Sequence, residues 1–158
     1  MERIAQSELL VLIAIILITG GLLLWYSSFS GLCGCPLVVN RGQNELVFME
    51  SANFLSDTNV TLDIRNVGGL AVSFQTYDVK DTSANQWQLS NWSPPGQPLA
   101  VNNLLAINIA IGSNVGGCGN QCQYTGSAGT FTVFQSSKSY TITLTSSRNN
   151  SFVFTVTR

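Results

Sequence analysis

The hydrophobic positions along the chain follow two regimes. From Leu9 to Tyr26 the sequence reads LLVLIAIILITGGLLLWY, apolar all round a helical wheel rather than along one stripe. After Gly42 the apolar residues alternate with polar ones in short runs, punctuated by Gly, Asn, Asp and Ser. The first regime predicts a helix with no wet face: its 18 residues, rising about 1.5 Å each, span about 27 Å, enough to cross a bilayer. Trp25 and Tyr26 close it with rings suited to a membrane interface, and Ser27 to Gly31 reads as a hinge.

The second regime predicts strands. The clearest cover residues 60–64, 70–80, 105–111, 130–135, 140–144 and 151–156, with others at 46–50 and 86–89. Alternate residues share a face, which directs Val60, Leu62, Ile64, Val72, Phe74, Ile107, Ile109, Val133, Tyr140, Ile142, Leu144, Phe152, Phe154 and Val156 inward. Asn66-Val-Gly-Gly69 between two runs predicts a tight hairpin. With no helical period after residue 31, the expected fold is an N-terminal hydrophobic α-helix followed by an all-β, immunoglobulin-like antiparallel sandwich. The expected organisation is a head at 1–8, the helix at 9–26, a hinge at 27–42 and the sandwich at 43–158.

Composition adds a surface property. Only 9% of the 158 residues are charged, with a net charge of −1, whereas Ser, Thr, Asn and Gln number 18, 13, 14 and 9. A surface that is polar but nearly uncharged suits a protein packed against its own copies or coated with sugar. The scattered Lys and Arg form no basic face, so no nucleic-acid partner is expected.

Four cysteines stand as Cys33-Gly-Cys35 and Cys118-Gly-Asn-Gln-Cys122. An even count behind an export-type N-terminus argues for disulfides, and three pairings are open. Pairs crossing between the clusters are favoured, because each would close a loop of about 85 residues and add about 4 kcal/mol by the chain-entropy model. A tetrathiolate zinc site is the competing reading, although the spacings differ from paired C-x2-C. Cys35 also lies in a Leu-Cys-Gly-Cys stretch with lipobox spacing, and the apolar run could serve as a cleaved signal. Asn59-Val-Thr61, Asn91-Trp-Ser93 and Asn149-Asn-Ser151 are candidate glycan acceptors.

The chain has no His, which removes the commonest general base and most triads. Glu45 with Glu50 and Asp78 with Asp81 could be paired carboxylates, but alternation separates the first two and both pairs are expected at solvated strand ends. Asp57 to Thr61 lacks the charge and spacing of a calcium loop, and the Gly-rich stretches at 112–119 and 126–129 lack the strand-to-helix context of a phosphate cradle. The expectation is a protein that is not an enzyme and carries no cofactor or metal.

Two features resemble the archaeal type IV pilin and archaellin family. Ser7-Glu8 opens directly into the apolar helix, and Val60-Thr-Leu-Asp-Ile-Arg-Asn-Val-Gly-Gly-Leu-Ala-Val72 is similar to the strand-turn-strand stretch common in those β domains. The resemblance implies a structural filament subunit, inserted in the membrane before assembly and handled by machinery of the type IV pilus kind. It would form an extracellular homopolymer through Glu8, Leu9, Leu12, Ile16, Gly20, Gly21, Leu24 and Trp25, and could be adhesive. The resemblance also implies leader cleavage, here between Ala5 and Gln6, with Ala standing where Gly is usual. The alternative is a monomeric surface binding domain anchored by the same helix or by lipid on Cys35.

Overall fold

Alternation decides the middle of each sheet. In the computed structural model, which describes residues 44–113 and 117–158, Asn59–Asn66 shows the burial of a strand covered on one side, with Val60, Leu62 and Ile64 fully buried and the residues between them half-exposed. Among the described residues eight strands form: β1 Val47–Phe54, β2 Asn59–Asn66, β3 Phe74–Lys80, β4 Gln86–Ser90, β5 Leu104–Ala110, β6 Cys122–Thr125, β7 Ser139–Ser146 and β8 Ser151–Thr157. They make a three-stranded sheet ordered β1-β2-β5 and a five-stranded sheet ordered β6-β4-β3-β7-β8, with neighbouring strands antiparallel throughout. One hydrophobic cluster joins the two sheets, with Leu62, Ile64, Ile107 and Ile109 from the first meeting Phe74, Tyr77, Ile142 and Leu144 from the second.

The inward set holds for Val60, Leu62, Ile64, Val72, Phe74, Ile107, Ile109, Tyr140, Ile142, Leu144, Phe152 and Val156, all buried. Val133 and Phe154 are only half-buried. The expected strand at 70–80 starts instead at Phe74, preceded by an isolated bridge from Val72 to Leu99, and a bulge between Phe74 and Thr76 shifts its phase. Tyr77 and Val79 therefore point inward although their parity opposes that of Phe74. Residues 130–135 form no strand: Phe131 and Phe134 are both buried at a spacing of three, which alternation cannot supply.

The hairpin expected at Asn66–Gly69 is also corrected. β2 belongs to one sheet and β3 to the other, so the segment between them crosses from sheet to sheet. Asn66, fully buried, organises the crossing: its Nδ2 donates to the carbonyls of Leu70 (2.7 Å) and Leu99 (3.0 Å), and its Oδ1 accepts from Gly68 N (2.9 Å). The chain at 44–46 runs against this corner, with Val67 N and Gly68 N both donating to Leu46 O. A Cβ on Gly68 would come within 2.6 Å of Leu46 N, so the glycine is required by close backbone approach.

The helix at 9–26, with Glu8, Leu9, Leu12, Ile16, Gly20, Gly21, Leu24 and Trp25, lies outside the described residues, as do Ala5, Gln6, Cys33 and Cys35. The pilin-like architecture of helix plus sandwich is corrected to a two-sheet β domain. Among the described residues there is no α-helix, only the 3-10 turn Gly119–Gln121, and no helix long and apolar enough to cross a membrane. The described residues therefore supply no helix for the expected homopolymer or for a membrane-inserted precursor.

Candidate binding cleft

The strand ends divide the domain into two poles. At the first pole Glu45, expected at a solvated strand end, is instead buried, its side chain 0% exposed. Its carboxylate accepts from Ser146 Oγ, from Asn150 Nδ2 (2.8 Å) and from Arg148 Nη1, which forms an ion pair with it. Burial pushes the Glu45 carboxyl up, but these hydrogen bonds and the charge of Arg148 outweigh it and hold the group below its ordinary value. Arg148 also donates to Ala71 O (2.9 Å), so the β7–β8 turn is tied to the β2–β3 crossing. Glu50 does not join this network and pairs with Arg65 across β1 and β2.

The second pole is built by the β3–β4 turn, the segment after β6 and the start of β7. Asp81 caps the turn, accepting from Ser83 N (2.9 Å), Asn85 N (2.8 Å) and Asn85 Nδ2 (2.7 Å). Buried Asn85 then accepts from Ser127 N (2.9 Å). Gly126 (φ +137°) rests on Asn85, where a Cβ would come within 2.9 Å of the Asn85 Cα. Trp87 Nε1 donates to Phe131 O (2.7 Å), and Tyr140 Oη accepts from Gln135 N (2.6 Å), which fixes the irregular segment over the strands. Phe131 stacks on Tyr140 at 5.3 Å, and Phe134 meets Tyr140 edge-on at 4.9 Å.

Between these parts lies a cleft of about 390 Å³, lined by Asp81, Thr82, Ser83, Asn85, Ser127, Thr130, Phe131, Val133, Gln135, Lys138, Ser139 and Tyr140. A second, more apolar depression, sharing Phe131 with the cleft, is lined by Trp87 and Tyr124, whose rings lie 4.9 Å apart. The side chains of Thr82, Gln135 and Lys138 are exposed and make no hydrogen bond or ion pair with other described residues. Asp78, the other half of the expected Asp78–Asp81 pair, lies on β3 and accepts from Gln86 Nε2 (2.7 Å); burial is the main influence on its carboxyl and raises it above its ordinary value.

The structure pairs Cys118 with Cys122, which overturns the expected crossing between clusters. The 3-10 turn between them brings their Cα atoms to 5.4 Å, a bridging distance. Neither sulfur is then free as a zinc thiolate. Asp57 sits on an exposed turn where Ser56 Oγ accepts from Thr58 N (3.2 Å), an arrangement local turn chemistry explains. Asn91 and Asn149 are exposed and Asn59 is half-buried within β2. Sequence reasoning missed the cleft because its walls come from turns and an irregular segment; the one readable signal was the clustering of Ser, Thr and Gly at 125–130.

No protein-family model matches the chain, and no curated protein does either. Among solved structures it is similar to the archaellum periplasmic stator protein FlaG from Sulfolobus acidocaldarius, at 14% identity, covering 72% of this chain and 100% of that one, with a TM-score of 0.48. That protein is a stator, not a pilin. A likeness of this degree assigns neither family nor function.

Proposed function

We propose that the chain is a non-catalytic binding domain of an extracytoplasmic surface, and that the cleft takes an uncharged ligand rich in hydroxyls, of carbohydrate type. The observation that carries this reading is the chemistry of the lining. Its single carboxylate, Asp81, is already engaged in capping a turn, its single amine is Lys138, and its other polar side chains are hydroxyls and amides. Such a set hydrogen-bonds a sugar without selecting a charge, and half-exposed Tyr124, backed by buried Trp87, adds aromatic surface in the neighbouring depression. The Cys118–Cys122 bridge supports an oxidising compartment outside the cytoplasm.

Titration calorimetry against a panel of neutral polysaccharides tests the ligand class. Binding in the micromolar to millimolar range, weakened at least about tenfold by Thr82→Trp with the melting temperature unchanged, supports it. A null panel, or binding indifferent to Thr82→Trp, sinks it. A second reading, in keeping with the resemblance of Val60 to Val72 to the archaeal filament family, is a role at a surface filament. Co-purification of this chain with sheared filaments in substoichiometric amount is the result it requires.

A further inference from the structure

We infer that Asn91 and Asn149 carry N-linked glycans and that Asn59 does not, which makes the pole opposite the cleft a sugar-bearing surface. The inference rests on the extracytoplasmic reading above. The three tripeptides are equivalent in sequence and differ in setting. Asn59 opens β2, the middle strand of the three-stranded sheet, opposite Ala110, with its Oδ1 buried. Its Thr61 is paired on both sides, to Asn53 and to Asn108, so presenting this acceptor requires β2 to leave the sheet.

Asn91 and Asn149 stand instead on exposed turns, one directly after β4 and the other between β7 and β8. Both hold left-handed backbone, φ 56° and 63°, which Asn tolerates better than most residues. The hydroxyl residues two positions on, Ser93 and Ser151, are exposed as well. The two turns are neighbours: Trp92 N donates to Gln75 O (2.8 Å), and Gln75 Nε2 reaches Asn149 Oδ1 at 3.5 Å. Glycans here would hydrate one end of a protein with only 9% charged residues and leave the cleft pole open.

The test is peptide mass spectrometry on the full chain, exported from a host with an N-oligosaccharyltransferase, beside its Asn59→Asp, Asn91→Asp and Asn149→Asp variants. Aspartate keeps the left-handed turn. The expected result is two glycan masses on the parent, one on Asn91→Asp, one on Asn149→Asp and two on Asn59→Asp. A glycan on the Asn59 peptide overturns the inference, as do unmodified Asn91 and Asn149 in a chain whose Cys118–Cys122 bridge has formed. Unmodified peptides together with free thiols at Cys118 and Cys122 overturn both the inference and the extracytoplasmic reading beneath it.

Discussion

At the first pole Glu45, Asn66, Arg148 and Asn150 direct their polar atoms at one another and at backbone carbonyls; at the second, Thr82, Gln135 and Lys138 stand around a cleft with theirs unengaged. Both ends carry polar side chains, and sequence composition does not tell them apart. What differs is where the partners come from. Asn66 and Glu45 reach residues of other elements across the corner between the sheets, so their hydrogen bonds hold the sheets together. Asp81 closes its own turn and leaves the rim free. Polar groups satisfied at long range therefore read as architecture, and polar groups left over beside a locally closed turn read as a binding surface.

The contrast predicts a graded series. Asn66→Ala removes three hydrogen bonds from the buried corner, those to Leu70 O, Leu99 O and Gly68 N, and should cost about 3 kcal/mol in urea unfolding; a cost near zero would break the architectural reading of the first pole. Replacing Cys118 and Cys122 together by Ser should cost about 2 kcal/mol, as the chain-entropy model gives for so short a loop, without altering the acid sensitivity set at the first pole.

Glu45→Gln should cost about 1 kcal/mol at neutral pH and should also change the pH profile. Because the folded Glu45 carboxyl lies below its ordinary value, its contribution is present above the ordinary carboxylate range and is lost as the pH falls through the folded value. Asp78, raised by burial, works in the opposite direction, so the loss of acid sensitivity in Glu45→Gln, followed by denaturation at stepped pH, isolates the Glu45 part. Lys138→Ala at the rim of the cleft should change stability by less than about 0.5 kcal/mol, and a larger loss would mean that the second pole is architecture too.

The strands were legible where one face is dry and the pairing regular, as in Val60 to Ile64 or Tyr140 to Leu144. Legibility ended where a backbone event breaks the period: the bulge at Phe74–Thr76 turned Tyr77 inward, where its Oη donates to Ala110 O and burial, the main cause, lifts the phenol to about 12. The Asn-Val-Gly-Gly corner carries the residues of a hairpin, and only the sheet assignment shows that its glycine serves a close crossing. Glu45 looked solvated because its partners are far away in sequence, beyond the reach of any local pattern.

That distance has a kinetic side. Glu45 meets Ser146, Arg148 and Asn150 at separations of 101, 103 and 105 residues, among the most distant side-chain contacts of the domain. Closing so long a loop is slow, and the contact rewards the chain only after most other pairings stand. A chain emerging from its N-terminus presents Glu45 early and must keep its carboxylate hydrated until the last strands arrive. The ion pair is thus a completion signal: the domain reaches its final stability only when its first and last strands have met.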